Sequence, residues 1–112
     1  MPRLIGTGRA MELILSGRMI DAVEAEKYGI VNFVYPSEEI EDATKKIAEN
    51  MAKKSPFALS RAKSAVNSAL SKPLEKGLKN ERELFVECFV SEDGKEGVRA
   101  FVEKREPKYK GK

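Results

Sequence analysis

Carboxylates are the residues of this chain best suited to do chemistry, and their surroundings decide whether they do. Glu24, Glu38, Glu39, Glu81, Glu83, Glu92 and Asp93 could supply an acid/base pair only if apolar surroundings or a like charge held one of them protonated. Each instead falls where a helix cap or a solvated helix face accommodates charge, so no catalytic residue is assigned. The chain has no histidine, which removes His-based triads and imidazole ligation. Its single cysteine, Cys88, cannot form an intramolecular disulfide or supply a zinc site. Among Phe85, Val86 and Phe89 it reads as a small core residue on a helix. No metal and no resident cofactor are expected. Gly6-Thr7-Gly8 lacks the preceding strand, the further glycine and the Lys-Ser/Thr pair of a phosphate loop, and reads as a turn into a helix.

Positive charge gathers at the C-terminus, where Lys104, Arg105, Lys108, Lys110 and Lys112 face only Glu106. Tyr109 could stack on a base. The net charge is only +3, however, and acidic residues punctuate the preceding helix, which is a poor footprint for a phosphate backbone. A solvated terminus accounts for this segment, and no nucleic-acid partner is expected.

The elements that must position these residues are mostly helical. Met11, Ile14 and Leu15 form one stripe on a helix from about Gly8 to Leu15, which Ser16-Gly17 stops. Asp21 with Glu24 three residues on starts a second helix, and Gly29 ends it in a left-handed turn. Ser37 caps a third, carrying Ile40, Ala43, Ile47, Ala48 and Met51 on one face. Ser55-Pro56 opens a fourth with a narrow face of small residues. A fifth runs from Leu74 to about Val90 with Leu74, Leu78, Phe85, Cys88 and Phe89 together. Ser91 caps the last, on which Val98, Phe101 and Val102 share a face before Pro107.

Ile30–Tyr35 differs from the rest, being short, β-branched and bounded by Gly29 and Pro36, and it is expected to be a strand. A lone strand leaves its backbone groups unpaired, and the residues after Pro36 are too helical to provide a partner. The chain is therefore expected to be incomplete, with about six helices and one orphan strand.

With 112 residues, 41% hydrophobic and 35% charged, the composition suits one globular domain with a wet exterior. No apolar run approaches the ~18 residues of a membrane span, and no secretory pattern opens the chain. A soluble, cytoplasmic protein without a membrane partner is the expectation.

Three stretches carry a resemblance. RAMELILSGRMIDAVEAEKYGIVNFV (Arg9 to Val34), KSPFALSRAKSAVNSAL (Lys54 to Leu70) and LEKGLKNERELFVECFVSEDGKEGVRAFVEKREPKYKGK (Leu74 to Lys112) resemble the C-terminal third of the crotonase superfamily, the enoyl-CoA hydratase/isomerase group. The opening Met1-Pro2-Arg3-Leu4-Ile5-Gly6 is similar to the segment that follows the catalytic machinery in that group. The resemblance implies a mainly α, helical C-terminal segment of an α/β crotonase-like fold. Residues 1–36 would be the helix–helix–strand end of its spiral core, and residues 37–112 a helical oligomerisation region.

It further implies that the complete enzyme reversibly hydrates 2-enoyl-CoA thioesters. The oxyanion N–H donors and both catalytic glutamates would lie upstream, leaving this segment to close the acyl pocket and assemble subunits. The implied partners are the spiral-core region, neighbouring subunits of a homo-oligomer, and acyl-CoA as substrate. Phe101 and Lys104 match the family positions at which an aromatic ring and a lysine hold the nucleotide end of coenzyme A for a neighbouring subunit. An ammonium three residues beyond a ring along a helix lies on the same side and can neutralise a phosphate. Phe101 could equally be core, on the stripe with Val98 and Val102. The alternative from a different class is a non-enzymatic helical module that binds another protein through its apolar faces.

Overall fold

Proline and glycine mark where the helices begin and end. A computed structural model describes residues 1–112, which form seven α-helices: α1 (Pro2–Ile5), α2 (Thr7–Ser16), α3 (Ala22–Tyr28), α4 (Ile40–Ala52), α5 (Pro56–Ala69), α6 (Leu74–Val90) and α7 (Glu92–Val102). Six correspond to the helices expected from the sequence. The additional one, α1, is a single turn that starts at Pro2, where the fixed φ of proline suits the first helical position.

The chain divides into two compact units, Met1–Lys46 and Ile47–Lys112. In the first, Gly17 ends α2 in the left-handed region with φ 64°, a conformation that costs glycine nothing. The Asp21 carboxylate then accepts the Glu24 N–H at 2.7 Å, and Gly29 stops α3 with φ 76°. Ile5, Ala10 and Leu13 are buried, with Ile20, Tyr28 and Ile30 packed against them. Burying side chains of the Ile and Leu type contributes roughly 1.5–3 kcal/mol each. Arg18 ties the polar side of this turn, reaching Glu12 at 2.6 Å and Glu24 at 2.6 Å.

The strand expected at Ile30–Tyr35 does not form; the run is irregular and the chain contains no strand. Two of its N–H groups have other partners. The Ile30 N–H donates to the Ala25 carbonyl at 2.9 Å, extending the end of α3, and the Val34 N–H donates to Glu26 Oε1 at 3.2 Å. A strand exists only through a ladder to a neighbour, and none lies alongside. The start of α4 also differs from expectation. The N–H groups of Glu39 and Ile40 donate to the Pro36 carbonyl at 3.0 and 3.2 Å, so Pro36, not the Ser37 side chain, leads into the helix.

In the second unit, the Ser55 hydroxyl accepts the Ala58 N–H at 3.1 Å and Pro56 opens α5. α5 packs along α6, where Asn80 Nδ2 donates to Ser68 Oγ at 3.1 Å and Arg61 meets Glu87 at 2.7 Å. Ser91 ends α6 and caps α7, its hydroxyl accepting the Gly94 N–H at 2.9 Å. The corner is so tight that a Cβ on Gly94 would collide with the Cys88 carbonyl oxygen, so glycine is required there. Cys88, expected in the core, is only half-buried. Ala100 of α7 is fully enclosed, whereas Phe85 and Phe89 of α6 are exposed and stack with their ring centroids 6.3 Å apart.

Candidate functional site

The C-terminal end of α7 brings together the two residues that the sequence marks for ligand contact. Phe101 is 85% exposed, so within its own unit it is not core. Lys104 lies beyond the helix. It is the one non-glycine residue with positive φ, at 54°, which corrects the expectation that it follows Phe101 on the same helical face.

The hydrogen bonds explain that shape. The Arg105 N–H donates to the Ala100 carbonyl at 3.0 Å and the Lys104 N–H to the Phe101 carbonyl at 3.3 Å. This is the paired closure of a helix whose next residue turns left-handed, a position where glycine is usual because any Cβ is strained there. Here a lysine occupies it. The Arg105 guanidinium fixes the far side, bonding Glu96 at 2.6 and 3.0 Å and Glu103 at 2.6 Å. Those bonds hold the Glu96 carboxyl down at about 2, Arg105 first and the Lys108 backbone N–H second, against the opposing effect of burial.

Of the carboxylates considered for chemistry, Glu38, Glu39, Glu81, Glu83 and Glu92 are exposed. Glu24 is paired with Arg18, and the bonds from Arg18 and then Tyr28 lower its carboxyl to about 2. Asp93 departs from the solvated reading, because it is only 3% exposed. Burial pushes its carboxyl up, but bonds from the Ser55 hydroxyl and from backbone groups of Lys110, Gly111 and Lys112 outweigh that and leave it below the usual carboxylate value. A general acid near neutral pH needs a raised value, whereas Glu24 and Asp93 are both lowered. No group of three or more His, Cys, Asp and Glu side chains is placed to hold a metal ion. No helix is long and apolar enough to cross a membrane.

Sequence reasoning missed Asp93 and Glu96 as fixed points of this region. Asp93 reads in the sequence as a solvated first-turn acid, and its partners Ser55 and Lys110 lie 38 and 17 residues away. No local pattern announces such a pairing.

Comparison with known proteins fits the same segment-wide pattern. The family described as enoyl-CoA hydratase/isomerase matches residues 1–112. The chain belongs to the enoyl-CoA hydratase/isomerase family. A crystal structure of enoyl-CoA hydratase from Bacillus anthracis superposes with a TM-score of 0.93 at 44% identity, covering 99% of this chain and 43% of that one. The Dictyostelium discoideum protein named "Probable enoyl-CoA hydratase, mitochondrial" is 44% identical over 98% of this chain and 40% of its own length. The 2,3-dehydroadipyl-CoA hydratase of Escherichia coli K12 is 38% identical over 98% of this chain and 43% of its own. This family member thus spans about two-fifths of the length of the relatives it matches, and its helical architecture is that of the corresponding part of their crotonase fold.

Proposed function

We propose that this chain acts as the C-terminal part of an enoyl-CoA hydratase, or 3-hydroxyacyl-CoA dehydratase, that reversibly hydrates 2-enoyl-CoA thioesters. In this reading its own residues close the acyl pocket, contact coenzyme A and assemble subunits of a homo-oligomer. The catalytic groups come from the spiral-core region.

The observation that carries the reading is Lys104 in a left-handed position beside a fully presented Phe101. A strained residue persists where the surroundings over-determine it, and strain of this kind concentrates at ligand contacts. A glycine would close the helix more cheaply, but it would bring no ammonium. Phe101 offers an apolar face for adenine, and Lys104 offers charge for a phosphate. The exposed Phe85 and Phe89 pair favours a protein-contact role as well, and in the hydratase reading a neighbouring subunit covers it.

The test uses this chain assembled with a hydratase spiral core, assayed by loss of the conjugated thioester absorbance. Lys104→Ala should raise KM for an enoyl-CoA a few-fold with little change in kcat, the size expected for a surface charge contact of about 0.2–1 kcal/mol. With a thioester analogue lacking the nucleotide, the loss should vanish. Equal losses for both substrates would overturn the assignment of Lys104, and turnover by the 112-residue chain alone would overturn the division of labour.

A further inference from the structure

Residues 106–112 form neither helix nor strand, yet they are tied back along α7 in reverse direction. Glu96 Oε1 accepts the Lys108 N–H at 2.9 Å. Farther along, Asp93 Oδ1 accepts the Lys110 N–H at 2.7 Å, and Asp93 Oδ2 accepts the Gly111 N–H at 3.0 Å. The Asp93 N–H, one of the unsatisfied donors at the start of α7, donates to the Lys112 carbonyl at 2.9 Å. Asp93 Oδ2 also accepts the Ser55 hydroxyl at 2.6 Å. One buried carboxylate therefore joins the beginning of α5, the beginning of α7 and the end of the chain.

Packing follows the same path. Gly97 leaves room for Tyr109, whose hydroxyl would be 3.4 Å from a Cβ at that position, and Gly111 lies against Pro56 with φ 79°. The segment starts directly after Arg105, whose guanidinium shares Glu96 with the Lys108 N–H. Glu96 thus holds both the turn that contains Lys104 and the first part of the returning segment.

We propose that residues 106–112 are a latch for the Phe101–Lys104 turn, with Asp93 and Glu96 as its positioning residues. This rests on the reading that Phe101 and Lys104 contact coenzyme A, and it adds the device that keeps the lysine presented before ligand arrives. With the latch tied, Glu96 holds Arg105 and the Lys108 N–H together on the far side of the turn, which keeps Lys104 in its left-handed conformation. With it released, Lys104 reverts to the ordinary backbone conformations of an L-residue and loses its fixed place beside Phe101.

The test is a comparison of the 112-residue chain with its Asp93→Asn/Glu96→Gln double variant by NMR, without coenzyme A. Amide exchange at Lys108, Lys110 and Gly111 should accelerate by about ten-fold or more. Lys104 should lose the intense intraresidue HN–Hα contact of a positive φ while α7 keeps its helical shifts. If the double variant does not fold, deletion of residues 106–112 removes the latch without changing any residue of α7, and the same loss at Lys104 is expected. An unchanged Lys104 signature in a folded variant with a freed segment would overturn the proposal. Because that signature is read without ligand, failure of the coenzyme A assignment would appear separately, in the substrate comparison of Lys104→Ala.

Discussion

Lys104 stands where a helix end would ordinarily recruit glycine, and its stability and its role pull in opposite directions. A left-handed backbone costs an L-residue about 1–2 kcal/mol relative to glycine. Lys104→Gly is therefore expected to stabilise the chain by up to about 1 kcal/mol, visible as a rise of several degrees in Tm. The same substitution removes the ammonium proposed to meet a phosphate. A fall in Tm would mean that the Lys104 side chain makes folding contacts that outweigh its backbone strain. At Gly94 the balance is reversed, because the Cys88 carbonyl leaves no space for a side chain and the glycine is purely architectural.

At the scale of elements, α7 and the returning segment are joined by carboxylates with lowered values, which fixes the sign of the pH response. Glu96 falls from an ordinary 4.5 to about 2, through Arg105 first, then the Lys108 N–H, with further help from Arg99. Asp93, faced by the Ser55 hydroxyl and the segment's own N–H groups, is also lowered. A depressed carboxyl contributes stability fully above its unfolded value and loses it as pH falls through the folded one. Protection of the Lys108 amide should therefore be constant above about pH 4.5 and decline toward pH 2, as measured by hydrogen exchange at stepped pH. In Glu96→Gln the group cannot titrate, so protection should start lower and vary less across that window. A decline centred near neutral pH would contradict the arrangement.

For the whole molecule the decisive quantity is exposed surface. The chain exposes 9351 Å², whereas two separate compact units of these sizes would expose only about 7,400 Å² between them by the usual scaling with mass. Large apolar side chains are among what is exposed, including Phe85 and Phe89 on α6 and Phe101 and Val102 on α7. Patches of this kind are normally covered by another chain. The isolated chain is expected to self-associate at tens of micromolar, and Phe85→Ser with Phe89→Ser should shift it toward monomer in sedimentation velocity. A monomeric parent chain with cooperative unfolding would refute this.

What the sequence determined by itself is what depends on neighbours a few residues apart. Asp21, Ser55 and Ser91 each cap an N–H three residues on, and Gly17 and Gly29 close helices by reaching back one turn, so these helix boundaries were legible. Family membership was legible too, because the matching motifs run through the entire chain. Only the tertiary structure decided the rest. Ile30–Tyr35 has strand composition, but a ladder requires a partner, and the Ile30 and Val34 N–H groups go to Ala25 and Glu26 instead. Asp93 reads as one more first-turn acid until Ser55 and the chain's last residues close over it. Lys104 continues a helical spacing on paper, and leaves the helix because Arg105 bonds back to Ala100 and is held by Glu96. For Asp93 the deciding contacts lie 38 and 17 residues away, and for Val34 and Arg105 they are side-chain bonds eight and nine residues back; periodicity and capping carry no information about which of these groups will meet.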